Sequence, residues 1–403
     1  MNTSDHNRPS LTDSIHSKFL EAQQLDAAWI QSALSHVLHK IDQNLERLGY
    51  AFPSASTINS KYSIVEGAEL DWTEGFWTGM LWLAYEVTGK ELYRKTAEKH
   101  VEFFLHRIQK QIKTNTHDLG FLYSLSCVSA YKLTGNEHAK QAALLAADLL
   151  ASRFHPKAGI IQAWGDLNNP LERGRMIIDC NLNLPLLYWA SEVTGERKYY
   201  DIANNHIKQA SRYIVREDYS TFHTYHMNVE TGTPVKGSTH QGYSDDSCWA
   251  RGQAWGIYGF TLNYLYLNDN KLLELACHVT DYFLDRLPED LVCYWDLLFT
   301  EGNEQQRDSS SAAIAACGML EMVKHFPLLQ SEKANAYTTA ALSIIKSLGD
   351  HYVSGPTEEE NGILLHSVYN KPRGIGIDES CLWGDYYYFE ALVRLTKDWN
   401  VYW

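Results

Sequence analysis

The stretch Glu86-Val87-Thr88-Gly89 ends a run of aromatic and apolar residues, and this ending recurs as Lys132-Leu133-Thr134-Gly135 and Glu192-Val193-Thr194-Gly195. Glycine tolerates the left-handed backbone that ends a helix, so each Thr-Gly pair predicts a helix end. Aspartate is a favoured side-chain acceptor at a helix start, and one precedes each run, namely Asp71, Asp118 and Asp179. The repeated unit of aspartate, helix, Thr-Gly and second helix predicts helical hairpins whose aspartate-bearing starts face one way.

Helical spacing of apolar residues continues beyond these units. The predicted hairpins are 73–88 with 91–109, 119–134 with 137–153, 182–194 with 197–215, 248–267 with 272–287, and 310–324 with 334–348. A further helix at 380–395 needs a partner, which a helix over 26–48 can supply across the closure of a ring. Six pairs with aromatic inner helices favour an all-α (α/α)6 barrel over an open solenoid. We expect a single barrel domain over residues 25–403, after a flexible N-terminal extension over residues 1–24.

The composition is that of a globular protein with a large core, since 45 % of the 403 residues are hydrophobic and 21 % are charged. A net charge of −14 argues against nucleic acid as a partner. Residues 1–13 are polar and lack the apolar core of a signal peptide, and the sequence has no apolar run of the roughly 20 residues that a bilayer requires. Its seven cysteines have neither zinc spacing nor the pattern of a disulfide framework. We therefore expect a cytoplasmic monomer or homodimer without a membrane partner.

Capping explains any single acid at a helix start, but it leaves two features unexplained. Asn181 and Asn183 enter an otherwise apolar helix just after Asp179, and His117 stands beside Asp118. A helix start lowers the pKa of a carboxyl group, whereas a second carboxylate or an aromatic lid that excludes water raises it. Asp118 and Asp179, on successive inner helices, are therefore the predicted catalytic pair, in which one group holds the proton while the other stays charged.

An arginine within an apolar helix start is costly to bury unless it meets an anion. Arg251 stands between Trp249 and Trp255 in such a segment. It either binds an anionic ligand or forms an internal salt bridge with Asp245 or Asp246. Aromatic rings, carboxylates and a lone arginine together indicate a carbohydrate that carries an acid group.

Three histidines are candidate metal ligands. His223, His226 and His240 lie within one connection, but no cysteine or further acid completes the spacing of a zinc site. We predict that the protein uses neither a metal nor a cofactor.

Six motifs are specific enough to compare with known families. They are Asp71-Trp72-Thr73-Glu74-Gly75-Phe76-Trp77, His117-Asp118-Leu119-Gly120-Phe121, Asp179 with Asn183, His240-Gln241-Gly242-Tyr243, Trp249-Ala250-Arg251-Gly252-Gln253-Ala254-Trp255 and Trp383-Gly384-Asp385-Tyr386-Tyr387. These motifs resemble glycoside hydrolase family 88, the unsaturated glucuronyl hydrolases, from about Trp29 to the C-terminus. The resemblance implies an (α/α)6 barrel that needs no metal or cofactor. Its substrates would be oligosaccharides left by polysaccharide lyases, which carry a C4=C5 double bond in the terminal uronic acid.

The resemblance also implies hydration of that double bond as the chemistry. Asp179 would protonate C4 of the vinyl ether and then help to deprotonate the water that adds at C5, after which the hemiketal opens and expels the remaining saccharide. Asp118 would bind ring hydroxyls and tune Asp179. The other implied substrate contacts are the aromatic walls Trp72 and Trp164, with His117, His223, Gln241, Arg251 and Trp255 around the uronate and the attacking water.

One departure concerns the substrate. Family members that prefer sulfated glycosaminoglycan fragments have an arginine beside the glutamine and a Ser/Lys cluster near the C-terminus. Here His240 and the segment Ser367-Val368-Tyr369-Asn370-Lys371 take these places, which favours unsulfated or weakly sulfated substrates. The alternatives are an unsaturated rhamnogalacturonyl hydrolase, a sugar epimerase on the same barrel and a non-catalytic helical scaffold.

Overall fold

In the computed structural model, each Thr-Gly motif ends a helix in the way that the sequence predicts. Gly89, Gly135 and Gly195 have φ of 69°, 71° and 75°, in the left-handed region. The N–H of each glycine and the hydroxyl of the threonine before it both donate to carbonyl oxygens of the last helical turn. In the fourth hairpin Asn268, with φ of 50°, takes the same conformation, so that helix ends by the same geometry without a Thr-Gly pair.

The structure describes residue 19 and residues 25–403, with the exception of residues 171, 303, 328, 329 and 358. The flexible extension predicted over residues 1–24 lies outside the described residues apart from Phe19, whose side chain is buried. The assignment of residues 25–403 to a single domain stays a prediction.

Twelve helices follow one another in the described part of the chain. Their bounds are α1 Ala27–Leu48, α2 Glu74–Thr88, α3 Glu91–Gln109, α4 Leu119–Tyr123 continued by Ser124–Val128 and Ser129–Thr134, α5 Glu137–Ser152, α6 Pro185–Thr194, α7 Arg197–Tyr213, α8 Ala250–Leu267, α9 Asn270–Asp285, α10 Ser309–Met322, α11 Ser331–His351 and α12 Leu382–Thr396. The predicted hairpins are all present, with ends that differ by a few residues. The middle piece of α4 is one π-helical turn.

The even-numbered helices form a closed inner ring. Each contacts the next in the order α2, α4, α6, α8, α10 and α12, and α12 contacts α2. The odd-numbered helices pack outside this ring, and α1 lies against α12 across the closure, as the sequence predicts. The fold is an (α/α)6 barrel, and the open solenoid is wrong.

Burial patterns explain which helices lie inside. Every residue of α8 from 250 to 263 is buried, as expected of a helix enclosed on all sides. Helix α7 instead buries one stripe with helical spacing, at Tyr199, Ala203, His206, Ile207 and Ala210. Among the described helices, none combines the length and the apolar character that a membrane span requires.

Short antiparallel strands occupy the connections that enter the inner helices. They are β1 Phe52–Pro53, β2 Ile64–Val65, β3 Phe154–His155, β4 Ile160–Ile161, β5 Arg175–Ile177, β6 Thr224–Met227, β7 Pro234–Ser238, β8 Ser367–Asn370 and β9 Ile375–Glu379. Strands β5, β6 and β7 form one sheet, in which Met176 pairs with Tyr225 and Tyr225 with Gly237. Since these connections precede the inner helices, they surround one end of the barrel, and the Thr-Gly turns lie at the opposite end.

Candidate active site

A cavity of about 580 Å³ opens at the end of the barrel where the inner helices begin. Of the predicted site residues, all but His223 and Trp255 line it. The lining residues are Glu69, Leu70, Asp71, Trp72, Lys113, Asn115, Thr116, His117, Asp118, Trp164, Asp179, His240, Gln241, Arg251, Tyr369, Asn370 and Arg373. The mouth of the barrel therefore brings together residues from Glu69 to Arg373, which lie far apart in the chain.

The acids at this mouth do not cap the inner helices, so the capping prediction is wrong there. The residues before α2, α4 and α6 are Thr73, Asp118 and Leu184, and none of them makes a side-chain cap bond. A capping residue needs an extended backbone, whereas ψ is −12° at Thr73 and 13° at Asp118. Caps do form on outer helices, where the extended residues are Asp26, Asn136 and Asp269. The carboxylates at the mouth remain available for other interactions.

Asp118 and Asp179, predicted as a pair, both line the cavity. The hydroxyl of Thr116 donates to Oδ2 of Asp118 at 2.6 Å, and Oδ1 of Asp118 lies 3.3 Å from Nε2 of His117. Oδ1 of Asp179 is buried and has no hydrogen-bond partner among the described residues. Asp118 is thus fixed by its neighbours, while Asp179 keeps an oxygen free for a proton or a ligand.

Burial sets the protonation of this pair. It raises the pKa of Asp118 to about 6, against the hydrogen bond from Thr116 and the charge of Arg153, which lower it. It raises the pKa of Asp179 to about 7, where the charge of Asp118 adds to the effect and Arg251 opposes it. As the pH rises Asp118 therefore loses its proton first, and Asp179 still holds a proton near neutrality.

Asn183 joins the two helix starts that carry this pair. Its Oδ1 accepts the backbone N–H of Phe121 at 2.7 Å, and its Nδ2 donates to the carbonyl oxygen of Asp179 at 3.1 Å. The segments approach closely at Gly120, where an added Cβ would lie 2.3 Å from Cα of Asn183. These contacts explain why the sequence places a polar residue in an otherwise apolar helix.

Arg251 is buried and forms an internal ion pair, but with a different partner from the predicted one. Its Nη1 lies 3.3 Å from Oδ2 of Asp308, and both side chains are excluded from solvent. The predicted partners Asp245 and Asp246 are wrong, because both are exposed. Asp308 instead precedes α10, which neighbours α8 in the inner ring.

Further contacts hold the guanidinium of Arg251 in a fixed plane. It donates to the carbonyl oxygens of Val368 and Tyr369, the second at 2.7 Å. The rings of Trp249 and Trp383 lie 4.4 Å and 4.8 Å from its central carbon. Its Nε has no hydrogen-bond partner in the described part of the chain. Arg251 therefore brings a fixed, charged guanidinium to the cavity wall.

His223 holds the loop that presents Gln241. Its Nδ1 accepts the backbone N–H groups of His240 and Gln241, each at 3.1 Å. Since Nδ1 is an acceptor and burial lowers the pKa of His223 well below its usual value, the ring is neutral and carries its proton on Nε2. His223 can therefore donate a hydrogen bond through Nε2, but it cannot act as a base there.

Trp72 and Trp164 lie on different parts of the cavity wall. The ring of Trp72 stacks on Trp383 with centroids 5.0 Å apart, and the ring of Trp164 lies 5.2 Å from His240. No local pattern in the sequence marked Trp164. Its position becomes evident when residues 116 and 164 pair as a β-bridge.

Trp255 and His117, both predicted to contact the substrate, differ in their positions relative to the cavity. Trp255 is fully buried, and its ring packs against Phe121 at 5.2 Å, so it supports the aromatic layer behind the cavity wall. His117 does line the cavity, but burial lowers its pKa to about 3. It is therefore a neutral neighbour of Asp118.

A third carboxylate at the cavity is that of Asp71, and its partner Tyr369 is not predicted by the sequence. The hydroxyl of Tyr369 donates to Oδ2 of Asp71 at 3.2 Å and accepts from Nε1 of Trp72 at 3.0 Å. Burial raises the pKa of Asp71, and the charge of Asp118 adds to this. Tyr369 lies on β8, almost three hundred residues from Asp71, so no local sequence signal connects them.

Two cations at the cavity were also missed. Lys113 and Arg373 both line it. Each belongs to a polar loop, where a charged residue is common and gives no sequence signal of a binding site. Among the described residues, no three His, Cys, Asp or Glu side chains converge closely enough to hold a metal ion.

Comparisons with known proteins match this architecture over nearly the whole chain. The family model described as Glycosyl Hydrolase Family 88 matches residues 46–401. The unsaturated chondroitin disaccharide hydrolase of Streptococcus pneumoniae is 47 % identical, over 96 % of each chain. The crystal structure of unsaturated glucuronyl hydrolase from Streptococcus agalactiae is 44 % identical, with a TM-score of 0.93 and 96 % of each chain covered. A mutant of that enzyme complexed with dGlcA-GalNAc6S is 42 % identical, with a TM-score of 0.85 over the same shares.

Proposed function

Because the chain belongs to glycoside hydrolase family 88, we propose that its cavity releases the 4,5-unsaturated uronic acid from lyase-generated glycosaminoglycan oligosaccharides. The chain is an unsaturated glucuronyl hydrolase, which hydrates the vinyl ether of the terminal sugar. The observation that carries the assignment of the site is the carboxyl pair, in which Asp179 holds a proton near neutrality while Asp118 is charged. The complex of the Streptococcus agalactiae relative with dGlcA-GalNAc6S supports the substrate class.

Asp179 is the general acid in this proposal. Its proton goes to C4, the C4=C5 π bond breaks, and the positive charge that develops at C5 is shared with the ring oxygen. A water molecule then adds to C5 and gives a proton back to Asp179. The resulting hemiketal opens at the bond between C5 and the ring oxygen, and C1 then releases the remaining saccharide as an alcohol. One water is consumed, and Asp179 ends with the proton that it had at the start.

Asp118 supports this acid in two ways. Its negative charge raises the pKa of Asp179 and so keeps the proton there until the substrate is bound. The same charge stabilises the oxocarbenium character that develops at C5 and the ring oxygen. Its fixed position beside Thr116 and His117 leaves a carboxylate oriented to accept hydrogen bonds from ring hydroxyls.

The uronate needs cationic and neutral donors at the opposite side of the sugar. Arg251 offers its positive charge at the cavity wall, while Gln241 is anchored to the carbonyl of Tyr369 at 2.8 Å. His223 offers Nε2–H behind them. A buried, preorganised guanidinium binds a carboxylate strongly because few donors must be reoriented.

The alternative reactions have less support. A sugar epimerase would use histidine bases at the mouth, but a pKa of about 3 makes His117 a weak base, and Nδ1 of His223 is occupied by two backbone amides. An unsaturated rhamnogalacturonyl hydrolase shares the chemistry and differs in the second sugar of its substrate.

The cytoplasmic location and the choice between monomer and homodimer stay predictions.

A panel of unsaturated disaccharides tests this function. The panel contains chondroitin disaccharides with and without sulfate on the second sugar, together with a rhamnogalacturonan disaccharide. Loss of the ultraviolet absorbance of the double bond measures turnover, and Asp179→Asn provides the background. We expect kcat/KM to be at least about tenfold higher for the chondroitin disaccharides than for the rhamnogalacturonan disaccharide, because the second sugar also binds in this cavity. Higher turnover of the rhamnogalacturonan disaccharide, or a product that keeps its glycosidic bond, would contradict the proposal.

The panel also tests the sequence-based preference for weakly sulfated substrates. Lys113 and Arg373 at the cavity are cations that could pair with a sulfate. A kcat/KM that is higher for the sulfated than for the unsulfated disaccharide would show that the predicted preference is wrong.

A further inference from the structure

Arg153 lies behind the cavity wall and does not line the cavity. It follows the last residue of α5, and 3 % of its surface is exposed. Its guanidinium donates to the carbonyl oxygens of Gln162 at 2.9 Å and Gly165 at 3.1 Å, and also to Oδ1 of Asn115. One side chain therefore joins two chain segments that are about fifty residues apart in the sequence.

These two segments carry predicted site residues. Residues 116 and 164 pair as an antiparallel bridge, and the N–H of His117 donates to the carbonyl of Ala163 at 2.6 Å. Asp118 follows one segment directly, and Trp164 belongs to the other. The contacts of Arg153 at both ends of this pairing fix the position of the carboxylate relative to the aromatic wall.

The charge of Arg153 is unusual for a buried side chain. Within the described residues, no carboxylate lies within ion-pair distance of it, and its partners are neutral oxygens. Burial accordingly lowers the pKa of Arg153 to about 10, while the charge of Asp118 opposes this. In a medium of low polarity an unpaired charge acts over a longer range than it does in water.

The charge of Arg153 acts on the carboxyl group of Asp118. The titratable groups around Asp118 are His117, Asp71, Asp179 and Cys180, together with Arg153. His117 is neutral, and the two acids carry either no charge or a negative one. Arg153 is the cation that lowers the pKa of Asp118 against its burial.

We propose that Arg153 is a positioning residue of the reaction, which fixes the wall carrying Asp118 and Trp164 and holds Asp118 in its charged form, so that the proton of the pair stays on Asp179. This inference rests on the proposed function, since it concerns the acid of that reaction. Arg153 touches neither the cavity nor the reacting atoms, and it acts through Asp118.

Two substitutions separate the charge of Arg153 from its contacts. Arg153→Gln removes the charge, so Asp118 should gain a proton at higher pH. We expect the acid limb of the kcat/KM profile to move up by about one pH unit, while the alkaline limb, set by Asp179, stays in place. Arg153→Lys keeps the charge but cannot reach all three oxygens, so it should lower kcat about tenfold without moving either limb.

Arg216→Gln is the matched control. Arg216 also joins segments through neutral oxygens, including the carbonyls of Thr221, Asp245 and Ser247, but it lies away from Asp118. This variant should lower the melting temperature and leave both limbs of the pH profile unchanged. A shift of the acid limb in Arg216→Gln equal to that in Arg153→Gln would attribute the effect to lost stability and overturn the inference.

Asn115→Asp covers the case in which Arg153→Gln does not fold. The new carboxylate takes the place of the amide oxygen against Arg153, and neutralises its charge while the contact is kept. The acid limb should again move up. An unchanged acid limb in folded Arg153→Gln, or in Asn115→Asp, would refute the inference while the wild-type enzyme still hydrolyses the chondroitin disaccharide. If the wild-type enzyme does not hydrolyse that disaccharide, the proposed function itself fails.

Discussion

Oδ1 of Asn183 accepts the backbone N–H of Phe121 at 2.7 Å, across the gap between two inner helices. The first turn of α4 is thereby tied to the turn that precedes α6, and these two turns carry Asp118 and Asp179, the proposed catalytic pair. The distance between the acids is therefore set by the side-chain amide of Asn183, which bonds to the backbone of both segments. Neither carboxylate has to hold the other in place.

Asn183→Leu should separate this positioning role from ordinary stability. The substitution leaves the N–H of Phe121 buried without an acceptor, which costs about 1–3 kcal/mol of unfolding free energy, and we expect kcat to fall about tenfold. Asn44→Leu is the control, since Asn44 is also buried and its Nδ2 donates to the carbonyl oxygen of Asn361, outside the turns that carry the two acids. Denaturant unfolding should show similar losses for both, with kcat lowered in the first variant alone. Equal kcat in the two variants would contradict the positioning role.

Asp179→Asn removes the proposed acid while it preserves shape. We expect turnover of the unsaturated disaccharide to fall at least about a thousandfold. Because burial disfavours the charged form of Asp179 in the folded state, the neutral amide should leave the melting temperature equal or higher. Circular dichroism and thermal melting check the fold, and absorbance checks turnover. Wild-type turnover in this variant would falsify the mechanism.

The dependence of kcat/KM on pH should be bell-shaped. Asp179 must be protonated, so activity falls as the pH rises through about 7, the raised pKa of that group. Asp118 must be charged, so activity falls as the pH drops through about 6. In Asp118→Asn the acid limb should disappear. An activity that keeps rising above neutrality in the wild type would exclude Asp179 as the acid.

Arg251→Lys should weaken binding of the uronate. A single ammonium cannot replace the guanidinium, which pairs with Asp308 and binds two carbonyl oxygens while it lines the cavity. We expect KM to rise about ten- to a hundredfold, with a smaller change in kcat.

Arg394→Lys is the control for that substitution. Arg394 is also buried, near the C-terminal end of α12, and is paired with Glu321 and Glu390. This variant should lose stability and keep KM. An unchanged KM in Arg251→Lys would show that the uronate is bound elsewhere.

Tyr369→Phe tests the contacts of the tyrosine hydroxyl with Asp71 and Trp72. Loss of the hydroxyl removes a donor to Asp71 and an acceptor for Trp72, so we expect kcat/KM to fall about tenfold, equivalent to about 1.4 kcal/mol. Tyr387→Phe is the control, because its hydroxyl is buried and has no partner among the described residues. Identical kinetics in the two variants would remove Tyr369 from the site.

Local signals were sufficient for much of the fold. The Thr-Gly turns predict three helix ends because the left-handed backbone of a glycine such as Gly89 depends on adjacent residues alone. Helix periodicity predicts the remaining pairs for the same reason. The closure of the ring follows from a helix at 380–395 that has no sequential partner, and α1 supplies it.

Contacts between distant segments were beyond such signals. Arg251 was expected to pair with an acid nearby in the sequence, but its partner Asp308 is brought close by the packing of α10 on α8. Asp118, predicted as one of the catalytic pair, has the sequence position of a helix cap, yet its backbone is not extended and it lines the cavity. Trp164 and Tyr369 lie on connections whose paths depend on the finished barrel.

The separation of the Thr-Gly turns from the cavity, at opposite ends of the barrel, has an evolutionary consequence. Residues that terminate the helices and residues that meet the sugar are under independent constraints. Mouth segments such as 113–117 and 370–373 can therefore diverge, or be exchanged between relatives, without altering how the chain stops its helices. A lineage with this barrel can acquire new saccharide preferences while the residues that end its helices stay the same.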